Sequence, residues 1–258
     1  MNARLVAPVV MGALMLALWE GAVRGFAIPP YILPGPLLVG ETLVDDWGTL
    51  FPSLLVTLRI TLEALAAAVV VGGLLAILFS LSRWVELSLF PYAIILQVTP
   101  IVAIAPLIII WANNVELSLL ICAWLVAFFP ILSNTILGLR SVDPNLLDLF
   151  RLYGAGRWRT LVDLRLPVAL PYFLGGLRIS GGLALIGAVV AEFVAGTGGS
   201  ASGLAWRILE AGYQLQIPRM FAALALISLS GIAIYLALNA LSHLLLRRWH
   251  DSALQGDA

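Results

Sequence analysis

Six long apolar runs divide this 258-residue chain, at about 5–23, 54–81, 87–112, 117–139, 174–195 and 220–246. A hydrocarbon core about 30 Å thick takes about 20 apolar residues of helix to cross, so each run is long enough to span a bilayer. The pattern predicts an all-α integral membrane protein with six transmembrane helices. The first run has Arg4 before it and Arg24 after it. It is long for a signal-peptide core and no small-x-small cleavage site follows it, so it reads as a retained helix.

The polar stretches between the runs carry the punctuation. Residues 26–36 hold four prolines and read as an extended segment outside the membrane. Residues 37–47 read as a short amphipathic helix with Glu41, Asp45 and Asp46 on its polar side. Arg59 and Glu63 sit four apart and can pair on one helix face. The third run contains Pro91, Pro100 and Pro106, which predicts a broken helix with Gln97 and Thr99 at the break. Those two polar residues suit either a pathway wall or packing between helices. Asn113 and Asn114 predict a tight turn. Asn134 lies in the fourth run and Glu192 near the end of the fifth. A carboxylate within a span is costly, so Glu192 reads either as a pathway or gate residue or as an interfacial group paired locally. Gly175, Gly176, Gly181, Gly182 and Gly187 allow another helix to approach closely. A glycine-rich loop at 196–203 and a short helix at 204–213 precede the last run.

The long loop at about 140–171, between the fourth and fifth runs, is the marked polar interruption of the second half. Asp143 and Pro144 are suited to a helix start as N-cap and first helical residue. Leu146, Leu149, Phe150 and Tyr153 line one face at helical spacing. Gly154-Ala155-Gly156 ends that helix in a turn. Residues 157–164 form a second short helix, stopped by Pro167. A solvated loop does not need such an apolar face; a surface that docks into a partner does.

Composition confirms the membrane class, with 62% hydrophobic and 11% charged residues against roughly 25% charged in soluble domains. Net charge is zero, so there is no overall basic field for nucleic acid. Lysine is absent, which excludes a Walker A loop and lysine-based covalent chemistry. The glycines at 196–203 are therefore no phosphate cradle. The lone Cys122 and the two C-terminal histidines, His243 and His250, give no metal-ligand set and no disulfide. Ten arginines fall on or near one side of the six-span arrangement and four (Arg24, Arg59, Arg207, Arg219) on the other. The positive-inside rule then places both termini and the 140–171 loop in the cytoplasm.

The loop resembles the signature of ABC importer permeases: Glu-Ala-Ala, three residues, Gly, nine residues, Ile-x-Leu-Pro. Here it reads Asp148-Leu149-Phe150, Gly154, Leu164-Arg165-Leu166-Pro167 with the spacing kept, and Leu149 and Phe150 stand where the family has alanines. Trp19-Glu20, Leu33-Pro34-Gly35-Pro36, Thr99-Pro100, Phe129-Pro130, Asn134-Thr135, Leu177-Arg178-Ile179 and Val190-Ala191-Glu192 are similar to the nitrate, sulfonate, taurine and thiamine-precursor branch.

The resemblance implies a single permease domain of the type I, MetI-like fold in the inner membrane, paired with a second permease copy. It implies two cytoplasmic ATPases carrying the ATP and Mg, with no cofactor on this chain, and a periplasmic or lipid-anchored binding protein. It implies ATPase coupling through Asp148, Leu149, Phe150, Gly154, Ala155, Arg157, Leu166 and Pro167. Gln97, Thr99, Pro100, Asn134 and Glu192 are the expected pathway residues. A lone secondary transporter or channel would instead carry paired intramembrane charges or an inverted repeat, and neither is evident. A non-transporting scaffold or receptor is the third class, separable by whether an ATPase co-purifies.

Overall fold

The computed structural model describes residues 3–196 and 202–247. The glycine-rich loop expected at 196–203 falls mostly outside the described residues. Among the described residues eleven α-helices follow one another: α1 Ala3–Gly25, α2 Pro36–Asp45, α3 Trp47–Leu81, α4 Arg83–Val98, α5 Ile101–Ala112, α6 Val115–Arg140, α7 Pro144–Leu152, α8 Arg157–Thr160, α9 Leu166–Ala195, α10 Leu204–Tyr213 and α11 Ile217–Leu246. A π-helical turn, Leu161–Arg165, joins α8 to α9. There is no strand among the described residues.

Among the described residues five stretches are long and apolar enough to cross a membrane: Val6–Gly25, Trp47–Leu81, Val115–Arg140, Arg157–Ala195 and Ile217–Leu246. The sixth expected span is the pair α4 and α5, bent by 105° at Thr99-Pro100. The break has a local cause. Proline's ring pushes the preceding residue out of the helical region, and Thr99 sits extended at φ −72°, ψ 124°. Its hydroxyl donates to the Ile95 carbonyl at 2.7 Å, which closes the end of α4. Pro91 and Pro106 stay inside their helices.

Two boundaries differ from the pattern. Helix α3 begins at Trp47, seven residues before the apolar run, because Pro52 is absorbed within its early turns. Pro167 does not stop the second loop helix. It falls in the first turn of α9, and the carbonyl it would oppose belongs to the π-turn, so the missing N–H breaks no α-helical ladder.

By its internal contacts the chain divides into two compact units. The first comprises Met1–Val56 and Gly196–Leu229. Its core is Val39, Leu50, Leu204, Ala222, Ala223 and Leu226. Two of its arginines are paired internally: Arg219 Nε lies 2.9 Å from Asp46 Oδ2, and Arg207 donates to Ser53 Oγ at 2.9 Å and to Glu210 at 2.8 Å. Glu20 accepts from Arg24 at 2.6 Å and from the Leu37 amide at 3.3 Å, which ties α1 to the start of α2.

The second unit comprises Thr57–Ala195 and Ser230–Ala258. It is organised on α6 and α9, which pack as an antiparallel pair with almost no spacing. A Cβ added to Gly138 would lie 2.8 Å from Ala169 Cα; on Gly176, 2.7 Å from the Pro130 carbonyl oxygen; on Gly187, 2.9 Å from Ala123 Cα. Ser180 Oγ donates across the same seam to the Ala127 carbonyl at 2.6 Å. Of the five glycines singled out from sequence, Gly175 and Gly182 face open space instead. The expected Arg59–Glu63 pair forms at 2.8 Å, and Arg59 also reaches Glu116 at 2.6 Å. Arg178, expected near the inner end of its span, lies roughly 18 Å along α9 and donates to Asn239 Oδ1 at 3.1 Å.

Candidate functional site

Helix α7 starts as its sequence predicts, with the Asp143 carboxylate accepting the Asn145 amide at 2.8 Å and Pro144 at the first helical position. It ends in a Schellman cap. The Gly154 amide donates to the Arg151 carbonyl at 3.0 Å and the Ala155 amide to Phe150 at 2.9 Å. This cap needs a left-handed residue, and Gly154 supplies φ +69°. Nothing lies within 4 Å of where its Cβ would be, so backbone conformation alone demands glycine here.

The face that α7 turns outward is apolar. Leu152 and Tyr153 are 85% and 84% exposed, and Leu146 and Leu149 are also exposed, while Leu147 and Phe150 turn partly inward. Beyond the turn, Trp158 is exposed as well. The helical spacing found Leu146, Leu149 and Tyr153. It missed Leu152 and Trp158, and it counted Phe150 with the outward face. Asp148 pairs with Arg151 at 3.0 Å on the surface. Arg157 lines a cavity with Arg151 and Arg165. Leu166 and Pro167 belong to the start of α9, where Leu166 packs on the main core; they anchor the loop from behind.

The five expected pathway residues separate into three places. Gln97 and Thr99 line a cavity of about 300 Å³ with Ile101, Phe129, Pro130 and Leu183. Pro100 is the N-cap residue of α5, at the break itself. Asn134 is not among the lining residues. Its Nδ2 donates to the Pro130 carbonyl at 2.8 Å, and its Cβ sits where Gly176 leaves room. Glu192 is 3% exposed and accepts a 2.8 Å hydrogen bond from Thr57 Oγ1. A buried carboxylate is tolerated when hydrogen-bonded, which is the physical reason a threonine faces it. Among the described residues no group of His, Cys, Asp and Glu is placed to hold a metal.

Residues 68–251, more than half of the chain, match the family model described as "binding-protein-dependent transport system inner membrane component". The chain is 36% identical over 241 residues to a riboflavin transport system permease protein of Chloroflexus aurantiacus, covering 93% of this chain and 88% of the relative. It is 33% identical over 240 residues to a formylaminopyrimidine transport permease protein of Halalkalibacterium halodurans (93% and 94% covered). It is 31% identical over 245 residues to the taurine transport system permease protein of Escherichia coli (92% and 87% covered). A crystal structure of an amino acid ABC transporter with histidines shares the fold, with a TM-score of 0.63 at 18% identity over 80% of this chain and 96% of that one. The helix–glycine turn–helix loop and the paired α6 and α9 thus sit in a chain that belongs to the family of binding-protein-dependent ABC importer permeases, the non-catalytic membrane subunits that carry small solutes.

Proposed function

We propose that this chain lines half of the translocation pathway of an ATP-driven importer and receives its motion through α7 and α8. The observation that carries this reading is the outward apolar face of α7, ended by the Gly154 turn. Three exposed leucines on a nine-residue helix, with the exposed Tyr153 at its C-cap beside a glycine-required turn, suit insertion into a groove on a cytoplasmic ATPase. Asp148, Leu149, Gly154, Ala155 and Arg157 make that contact; Phe150, Leu166 and Pro167 hold the loop to the rest of the unit.

The chain acts as one permease domain, pairs with a second copy of itself, and lies in the inner membrane with both termini cytoplasmic. ATP and Mg are held by the partner ATPase, and a binding protein delivers the solute from outside. Closure of the ATPase dimer draws the two coupling loops together, the spans tilt, and the pathway opens outward; hydrolysis resets it.

The cavity at the break of α4 and α5 is the proposed segment of the pathway. Its polar contribution is the Gln97 amide and the Thr99 hydroxyl, its walls are apolar and aromatic, and among the described residues no cationic side chain lines it. That lining suits a neutral polar ring better than a sulfonate or nitrate, which would call for a guanidinium or several amide donors. The relatives named for riboflavin and formylaminopyrimidine support the same class.

Co-purification with an ABC ATPase and a binding protein from the same organism, followed by uptake in proteoliposomes, tests the reading. ATP-dependent uptake of a pyrimidine or flavin compound, reduced in Gln97→Ala, is the expected result. Uptake of taurine instead would overturn the substrate class, and transport without any ATPase would overturn the mechanism.

A further inference from the structure

The loop that holds α7 and α8 carries a charge imbalance that the chain itself does not correct. A cavity of about 260 Å³ lies at the Gly154 turn, lined by Leu147 and Arg151 of α7, by Ala155 and Arg157, and by Arg165 of the π-turn. Every carboxylate of the loop is engaged elsewhere. Asp143 accepts the Asn145 amide, Asp148 pairs with Arg151 at 3.0 Å, and Asp163 pairs with Arg159 at 3.4 Å. Arg165 also lines a second cavity with Arg83 and Arg140, and the carboxylate there, Glu86, is paired with Arg140. Arg157 and Arg165 have no carboxylate within ion-pair distance among the described residues. The Arg165 Nη1 group donates to the Ser80 carbonyl at 3.3 Å, which holds that guanidinium in the cavity wall.

Docking makes this imbalance costly. Arg151 and Arg157 are exposed, and so are Leu149, Leu152 and Trp158, which stand beside them along the chain. A protein surface that covers those apolar side chains also covers the two arginines. Taking a guanidinium out of water without a counter-charge is heavily unfavourable, so whatever seats on this face must bring negative charge. Size narrows the source. Pockets for drug-sized ligands run to about 300–1,000 Å³. This cavity is smaller, on the scale of one side chain. A carboxylate suits it, because its two oxygens accept the parallel N–H donors of a guanidinium.

We propose that the ATPase seats the side chain of one of its own aspartates or glutamates in this cavity, between Arg157 and Arg165. The proposal rests on the reading of α7 and α8 as the ATPase contact and adds the polarity of that contact, with the cation on this chain and the anion on the ATPase. The pair fixes the register in which the apolar face seats, since carboxylate–guanidinium geometry is directional and leucine contacts are not.

Because the chain has no lysine, Arg157→Lys introduces its only side-chain amine. A carbodiimide joins an amine to a carboxylate without a spacer. The complex with an ABC ATPase from the same organism is treated with carbodiimide, and the linked peptides are read by mass spectrometry. The expected link joins position 157 to an aspartate or glutamate of the ATPase, and Arg24→Lys gives no link to it. In parallel, benzoylphenylalanine in place of Leu152 photolabels whatever covers the apolar face, without regard to charge. Capture of the ATPase at position 152 with no ATPase carboxylate linked at 157 overturns the proposal and leaves the coupling reading standing. Capture at neither position overturns both. A link from 157 confined to Asp148 or other carboxylates of this chain overturns the proposal as well. Arg157→Glu is expected to weaken ATPase binding at least about tenfold. Replacing the linked ATPase carboxylate by arginine is then expected to restore binding to within about threefold. The unfolding midpoint checks that Arg157→Glu is folded, and a swap that restores nothing in folded protein overturns the pairing.

Discussion

A single methyl group on α9 tests whether α6 and α9 are held together by backbone proximity. In Gly176→Ala the new carbon would lie 2.7 Å from the Pro130 carbonyl oxygen and 3.0 Å from Asn134 Cβ. A carbon–oxygen contact relaxes at about 3.3–3.6 Å, so the shortfall is roughly 0.6 Å or more. The obstructing atom belongs to the backbone and cannot swing aside, so the helices must separate. Overpacking of this kind costs about 1–3 kcal/mol. Alanine in place of a helical glycine returns about 0.5–1 kcal/mol. The net expectation is a loss of up to about 2.5 kcal/mol. Gly175→Ala is the matched control: its neighbourhood is empty within 4 Å, so only the helix term acts and stability should rise by about 0.5–1 kcal/mol. The two variants, one residue apart, should therefore move in opposite directions. Reversible unfolding in detergent, followed by tryptophan fluorescence, measures both. If the two shift stability in the same direction, the close-packed seam is not what holds these helices.

Gly154→Val places a β-branched residue at φ +69°. It should insert normally yet lose ATPase stimulation and uptake in the reconstituted complex; normal uptake would remove Gly154 from coupling. Leu215 also sits at a helix C-terminus with positive φ, +57°, and is exposed. Leu215→Gly should therefore raise stability by about 0.5–1 kcal/mol in the same unfolding assay, and a fall would show that the strained turn is not as drawn. Thr57→Val removes the 2.8 Å donor to the buried Glu192 and should cost about 1–3 kcal/mol, measured by thermal unfolding; an unchanged midpoint would mean that the bond contributes nothing. Cys122 is 1% exposed and should resist maleimide in the folded chain, then label fully in denaturant; rapid labelling of folded protein would contradict its place in the core.

Apolar run lengths by themselves determined the all-helical membrane class and five of the six expected spans, because a bilayer imposes one length scale on every crossing; the sixth run is the bent pair α4 and α5. Local chemistry was equally legible. Asp143-Pro144, the Gly154 turn, the Asn113-Asn114 corner and the break before Pro100 each depend on the backbone preferences of a few adjacent residues, and each lies where it was read. What run lengths and local chemistry could not determine is direction across a gap. The five glycines of α9 have the same composition signal, yet only Gly176, Gly181 and Gly187 meet a neighbour, since that depends on which helix lies opposite. Gln97 and Asn134 were equal as polar residues within spans. Tertiary packing sends one to a cavity and turns the other onto its own helix at the Pro130 carbonyl. Pro167 looked like a stop, and only the π-turn before it lets α9 run on. Arginines 83, 140, 151, 157 and 165 are spread over more than eighty residues and read from sequence as a topology signal, with Arg157 also a coupling residue. Folding alone brings them along two cavities that share Ser80 and Arg165, because long-range contacts are set by how helices pack and not by the order of residues along the chain.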